Sequence, residues 1–314
     1  MKKYKIAIVG LGSIGKRHLM NIDKVLRERE IDYSIDIIRR LASPVDEQFK
    51  ILISNIYSEE EYIQNDYDVI FITNPTHLHY DTIRKYSKKT KSMFIEKPIF
   101  DDTSINIKNL TLSENGIYYI ACPLRYTEVI QYIKNKIDLS HVYSVRAICS
   151  SFLPEWRPDL DYRNTYSAHL EQGGGVSIDL IHEWDYMIYL FGKPSQIMNY
   201  RGKFSNLDIN SDDLSIYIAK YENMLAELHL DYFGKRTIRE LQLFTKDETI
   251  EADIANSEIR FLREDKIIKF SEERNSYQIK EIEHFFDLIE GKKKNENDIY
   301  IALNTLKIAK EGKI

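Results

Sequence analysis

Residues 4–22 read YKIAIVGLGSIGKRHLMNI, and this stretch decides the fold. Ile6–Val9 is an unbroken apolar run, as expected of a parallel strand buried on both faces. Gly10-Leu11-Gly12-Ser13-Ile14-Gly15 follows, and beyond it Leu19, Ile22 and Leu26 recur at helical spacing. A G-x-G-x-x-G turn between strand and helix lets the backbone bend tightly and approach a pyrophosphate. It also offers that ligand the free N–H groups of the helix start. Gly10, Gly12, Ser13, Ile14 and Gly15 are therefore candidate cofactor contacts, and the cofactor class they imply is NAD(P)(H).

Working outward, strand-like runs at Ser34–Ile38, Asp68–Thr73, Met93–Ile95 and Ile117–Ala121 alternate with helical segments. Such alternation predicts a doubly wound parallel sheet, a Rossmann domain over residues 1–122. Beyond it, Ser151–Gly175 is polar and aromatic without periodicity. A helix is expected at about 177–191, stopped by Gly192 with Pro194 beyond. Strand-like runs then succeed one another at Gln196–Gly202, Leu214–Tyr221, Leu225–Tyr232, Arg239–Thr245, Glu248–Ile254 and Ile259–Leu262. Strands without intervening helices predict a large, mostly antiparallel sheet, so residues 123–314 read as an α/β domain for substrate binding and oligomerisation. Ile282, Phe285, Phe286 and Ile289 mark an amphipathic helix, and a last helix starts at Asp298.

The second strand bears on which dinucleotide binds. An acidic residue at its end would accept bonds from a ribose 2′-hydroxyl. Here Asp36 lies inside the strand, and Arg39-Arg40 occupy its end. Guanidinium groups suit a 2′-phosphate, which leans the reading towards NADP(H); two merely solvated arginines are the alternative.

Composition sets the outer limits. The chain has 314 residues, 43% hydrophobic and 30% charged, which fits a globular protein with two ordinary domains. A net charge of -5 gives no reason to expect a nucleic-acid partner. Cys122 and Cys149 are far apart and follow no metal-ligand spacing, so a reducing cytoplasm is expected. The basic start and short apolar run at the N-terminus end in glycines, so they are not read as a signal peptide. No apolar segment approaches the roughly 20 residues that span a bilayer.

One segment remains awkward. MFIEKPIF, residues 93–100, ends an apolar strand in Glu96 and Lys97, with Pro98 immediately after. Together with the glycine turn, Asp68-Val69-Ile70-Phe71-Ile72-Thr73-Asn74-Pro75-Thr76-His77-Leu78-His79 and Gly173-Gly174-Gly175 with Asp179, His182 and Asp185, it resembles the glucose–fructose oxidoreductase / inositol dehydrogenase (Gfo/Idh/MocA) family. The resemblance runs the length of the chain, in order. It implies NAD(P)-dependent oxidation or reduction at a carbon of a sugar, sugar-nucleotide or cyclitol.

It also implies roles. Strand ends in doubly wound sheets open toward the dinucleotide, so Glu96 and Lys97 would face ligand. The Lys97 ammonium would bond the substrate oxygen and stabilise charge during hydride transfer, and Pro98 disfavours helical geometry at Lys97. Thr73, Asn74 and Pro75 would lie at the nicotinamide ribose, with His79 lining the cofactor pocket. His77 and His79 lack a third ligand, so no metal is expected. His182 is the expected proton exchanger, oriented by Asp179 three residues earlier on one helix face. The family usually places one more residue in that interval, which leaves Glu183 as a substitute for Asp179.

Leu153-Pro154-Glu155-Trp156-Arg157-Pro158 and Asp161-Tyr162-Arg163 are rich in arginine and aromatic residues. With Arg125 they offer guanidinium groups and stacking surfaces, so Arg125, Trp156, Arg157, Tyr162 and Arg163 are candidate contacts to an anionic sugar-type substrate. A loop closed by its own salt bridges is the alternative. The segment is similar to one met in bacterial enzymes of surface-sugar metabolism. A homodimer or tetramer is expected through the antiparallel sheet. A non-catalytic dinucleotide sensor on the same fold is the competing functional reading; it would need neither Lys97 nor His182.

Overall fold

The computed structural model describes residues 3–40, 44–58 and 66–313. The chain forms two compact units, Met1–Ala121 with Gln278–Ala302, and Cys122–Tyr277 with Leu303–Ile314.

In the first unit the elements run β1 (Lys3–Val9), α1 (Ser13–Glu28), β2 (Asp32–Ile38), α2 (Glu47–Lys50), β3 (Asn55–Tyr57), β4 (Val69–Ile72), α3 (His79–Tyr86), β5 (Ser92–Ile95) and β6 (Ile117–Ile120). All pairings are parallel, in the order β3-β2-β1-β4-β5-β6. The order reverses beside β1, and the glycine turn sits at that reversal, where doubly wound sheets bind ligands. Ile6, Ile8, Val9 and every residue of β4 and β5 are buried, as the continuous apolar runs predict.

In the second unit come α4 (Glu128–Lys136), β7 (Val142–Phe152), α5 (Val176–Asp179), α6 (His182–Phe191), β8 (Gln196–Gly202), β9 (Leu214–Lys220), β10 (Leu225–Asp231), β11 (Phe233–Thr245), β12 (Thr249–Asp253), β13 (Glu258–Phe261) and β14 (Lys266–Lys269). These strands form one sheet in the order β14-β13-β12-β11-β7-β10-β9-β8, antiparallel except for the parallel pair β7–β10. β7 and β14 extend the expected set of strands.

Two further differences from expectation have physical causes. α7 (Ser276–Ile289) returns to the first unit because its apolar face, with Phe285, meets Phe71, Phe94 and Tyr119 at ring distances of 5.6, 5.3 and 5.9 Å. Burying Ile282, Phe285 and Phe286 contributes about 1.5–3 kcal/mol each. The helix expected at 177–191 breaks at Leu180–Ile181 into α5 and α6. α8 (Ile299–Glu311) closes the chain. Among the described residues no helix is long and apolar enough to cross a membrane.

Candidate functional site

The glycine turn behaves as its sequence demands. Gly10 has φ +94°, and a Cβ there would lie 2.9 Å from the backbone nitrogen of Asn74. A Cβ on Gly15 would come within 2.5 Å of the Gly10 carbonyl oxygen, so both positions require glycine for packing. Gly12 is different: no atom lies within 4 Å of a Cβ placed there. That open side adjoins the start of α1, which no side chain caps, and Ser13 and Ile14 are its first residues. Thr73 ties the end of β4 to this turn, its hydroxyl 2.8 Å from the Gly10 carbonyl oxygen.

Asn74 donates its amide to Thr82 Oγ1 at 2.8 Å, while its own Oδ1 is buried without a partner among the described residues. An orphaned acceptor beside an uncapped helix start and an open glycine suits a polar ligand. The turn therefore fits a dinucleotide, for which Gly10, Gly12, Ser13, Ile14 and Gly15 are the residues that would meet the phosphates and Thr73, Asn74 and Pro75 those that would lie beyond. Asp36 is not available to a ribose: it is buried and accepts hydrogen bonds from Asn55 Nδ2 and Tyr67 Oη, each at 2.8 Å. Arg39, half-buried, and Arg40, exposed, follow at the strand end.

Glu96 and Lys97 leave the end of β5 half-buried, followed by a cis Lys97–Pro98 bond. Glu96 Oε1 lies 2.5 Å from His18 Nε2 on α1, and Oε2 accepts the Lys97 N–H at 3.3 Å. Burial opposes ionisation of Glu96, but the hydrogen bond and charge of His18, then the Lys97 charge, hold its pKa below the usual carboxylate value. Glu96 thus spends a carboxylate oxygen on the protein instead of on a cofactor. His18 was missed from sequence, although a histidine beside Leu19 on the apolar face of a helix is a signal of a buried polar contact.

His79 does not line a pocket as expected. It is 1% exposed, and both ring nitrogens face backbone carbonyls, so no face of the ring remains for ligand. His77 is exposed, and no His/Cys/Asp/Glu group suited to a metal occurs among the described residues.

In the second unit Asp179 ends α5 and His182 begins α6, with Leu180 and Ile181 between them. Asp179 accepts hydrogen bonds from Tyr166 Oη and Tyr232 Oη, each at 2.6 Å. Burial, then the Asp179 charge, push the Tyr166 pKa up. Glu183 cannot replace Asp179: it is fully buried, 2.8 Å from Arg239 Nε. His182 itself is half-buried at the first position of α6.

The candidate arginines divide. Arg125 is 3% exposed and gives Nε and Nη2 to Asp185 at 2.9 and 2.7 Å, so it braces the start of α4 against α6 instead of waiting for substrate. Arg163 is claimed by Asp161 at 2.6–3.0 Å. Arg157 is exposed and makes no ion pair among the described residues. It lines a shallow hollow with Leu153, Trp156, Leu160, Tyr162 and Thr165. Trp156 is fixed there by its Nε1–H bond to Ser151 Oγ at 2.9 Å and by edge-on packing with Tyr232. Tyr162 Oη accepts the Asp208 N–H at 3.1 Å.

Comparison with known proteins bears on this arrangement. Residues 4–112 match the family described as Gfo/Idh/MocA, oxidoreductase family, NAD-binding Rossmann fold. The N-terminal third of the chain is thus similar to the NAD-binding Rossmann domain of Gfo/Idh/MocA oxidoreductases. It is 25% identical over 240 residues to the uncharacterized oxidoreductase YrbE of Bacillus subtilis, covering 71% of this chain and 65% of that protein. It is 25% identical over 192 residues to an inositol 2-dehydrogenase/D-chiro-inositol 3-dehydrogenase of Lacticaseibacillus casei, covering 59% and 52%. The chain thus matches about half to two thirds of the length of these curated relatives. The fold is also that of a levoglucosan dehydrogenase solved with NADH, with a TM-score of 0.82, 14% identity and coverage of 98% and 95%.

Proposed function

We propose that the whole chain is a Gfo/Idh/MocA-type protein, an NAD(P)-dependent dehydrogenase or reductase acting on a carbon of a sugar, sugar-nucleotide or cyclitol. The observation that carries the reading is the first unit's combination of an open glycine turn at Gly12, after β1, with Lys97 after β5, two strands along the same parallel sheet. The inositol and levoglucosan dehydrogenases among the similar proteins support a sugar-type substrate. When bound, the nicotinamide supplies a hydride acceptor or donor. In this reading the first unit holds the dinucleotide and the second the substrate.

Lys97 bonds the substrate oxygen and stabilises the negative charge that builds on it as hydride moves. His182 takes or returns the hydroxyl proton, the chemistry that an imidazole serves near neutral pH. Asp179, held by Tyr166 and Tyr232, supports it from the preceding turn. Arg157, with Trp156 and Tyr162, meets an anionic group on the substrate, in keeping with a nucleotide-linked or acidic sugar of bacterial surface-sugar metabolism. Arg39 and Arg40 at the end of β2, with Asp36 engaged elsewhere, favour NADP(H). Met198, Tyr200, Ile218 and Leu225, all exposed on strands β8–β10, favour self-association as a dimer or tetramer. Two buried thiols, Cys122 and Cys149, suit a reducing cytoplasm.

The test is a screen of free sugars, cyclitols and nucleotide-sugars for change in NAD(P)H absorbance, in both directions. Turnover of one class supports the reading. NADPH or NADH binding without turnover of any of them would favour the sensor instead.

A further inference from the structure

We propose that His79 is a positioning residue, whose buried imidazole fixes the main chain carrying Lys97 and thereby sets the direction of its ammonium. The inference rests on the reading of Lys97 as the group that bonds the substrate oxygen. Three observations carry it.

The first is reach. His79 Nδ1 lies 3.1 Å from the Pro98 carbonyl oxygen and 3.2 Å from that of Ile99, the two residues that follow Lys97. Its Nε2 lies 3.0 Å from the Asn74 carbonyl oxygen, at the end of the neighbouring strand. One ring therefore spans the two strand ends from which the candidate cofactor and catalytic side chains emerge.

The second is isolation. At 1% exposure the ring touches no solvent, so its polar atoms act on the protein alone. Burial lowers its pKa from the usual value, which favours the neutral ring with a single N–H. A neutral ring donates to one side at a time. The Asn74 side has other holds, through Asn74 Nδ2 on Thr82 and Thr73 Oγ1 on Gly10. Pro98 has no N–H to contribute, so the tautomer protonated at Nδ1 serves the segment with fewer backbone donors.

The third is symmetry of support. Upstream of Lys97, Glu96 is held by His18 at 2.5 Å and its backbone N–H by the Ile72 carbonyl at 2.9 Å. Downstream, His79 supplies the matching hold. Lys97 thus sits between two fixed points, each with a histidine behind it.

Side-chain geometry makes the idea testable in the full chain. Asparagine places an amide nitrogen near the site of Nδ1, and glutamine near the site of Nε2. His79→Asn therefore keeps the hold on Pro98 and Ile99, His79→Gln directs its donor to Asn74 alone, and His79→Leu donates to neither. Amide hydrogen exchange of residues 93–100, NADPH binding by fluorescence, and turnover of the substrate returned by the screen are compared, with Lys97→Ala in parallel.

The expected result is faster exchange at 93–100 in His79→Leu, with NADPH affinity little changed. The turnover number should fall on the order of 10²-fold, as misplacement by about 1 Å costs, while the Michaelis constant barely moves. Asparagine should restore both exchange protection and turnover; glutamine should not. Wild-type exchange at 93–100 in His79→Leu overturns the proposal without any substrate in hand. So does rescue by glutamine equal to that by asparagine. Loss of turnover in Lys97→Ala but not in His79→Leu removes the positioning role alone. Full turnover in Lys97→Ala instead removes the catalytic reading on which the role rests.

Discussion

Arg125 and Asp185, sixty residues apart in sequence, meet in a two-pronged ion pair with both partners buried. Removing one partner leaves the other charged and desolvated, which costs about 3–5 kcal/mol. Arg125→Met should therefore lower the urea midpoint sharply. Arg125→Met combined with Asp185→Leu should recover much of the loss, because an apolar replacement of a whole buried pair is often neutral. Denaturant titration of both variants checks this; equally lowered midpoints for the single and double variants would show that the loss does not come from the stranded carboxylate.

Lys97→Ala removes the proposed donor to the substrate oxygen while leaving the glycine turn intact. Turnover should fall by about 10²–10³, the usual effect of losing one such donor, with NADPH affinity retained. Stopped-flow absorbance for the reaction and fluorescence titration for binding separate the two. Loss of cofactor affinity without a lower turnover number would move Lys97 out of the chemistry and into binding.

The arginines at the end of β2 predict a cofactor preference. NADPH should bind more tightly than NADH, and a combined Arg39→Ser and Arg40→Ser variant should lose about tenfold or more for NADPH alone, as charge-assisted bonds to a phosphate imply. Asp36 gives no counter-argument, because Asn55 and Tyr67 already occupy it. Calorimetric titration with both dinucleotides decides between a 2′-phosphate site and two solvated guanidinium groups.

How much of this the amino-acid order discloses depends on how local each feature is. The first sheet is legible because Ile6–Val9 and Val69–Ile72 are apolar throughout and the glycine turn marks its reversal. The inward face of α7 is legible too, but not its destination: the spacing of Ile282, Phe285 and Phe286 states that a face is apolar, not which unit receives it. The break between α5 and α6 falls at Leu180–Ile181, where no glycine or proline announces it. The arginines teach the same lesson at the site. Nothing near Arg125 names Asp185 as its partner, whereas Asp161 stands two residues from Arg163 and could have been read as its counter-charge.

That contrast gives a paired prediction for substrate binding. Arg157→Ala should raise the Michaelis constant for an anionic substrate by about 10- to 100-fold, since a hydrogen bond to a charged group contributes about 1.5–3 kcal/mol. Arg163→Ala should change it little, because Asp161 already claims that guanidinium. A neutral analogue of the same substrate should be insensitive to both. Steady-state kinetics on the charged and neutral pair provide the check, and an unchanged constant in Arg157→Ala would return the segment to a structural loop.

The buried His79 ring predicts how stability depends on pH. Burial is the main cause of its lowered pKa, opposed by the backbone carbonyls and by the Glu96 charge. In the unfolded chain the same imidazole titrates near 6.5. Above that value both states carry a neutral ring, and the contribution to stability is complete. As pH falls below it, the unfolded chain takes up a proton that the folded one refuses until its own lower pKa is reached. Stability is therefore lost across that window, with a slope of up to about 1.4 kcal/mol per pH unit for this group. His79→Asn should flatten the curve between about pH 5 and 7 relative to the parent, because the substitute does not titrate there. Urea midpoints at half-unit pH steps, parent against variant, measure the difference between the slopes. Identical slopes would mean that the ring takes up its proton as readily in the folded chain as in the unfolded one; a slope difference of the opposite sign would mean that the folded ring is protonated, bonding both carbonyl segments at once.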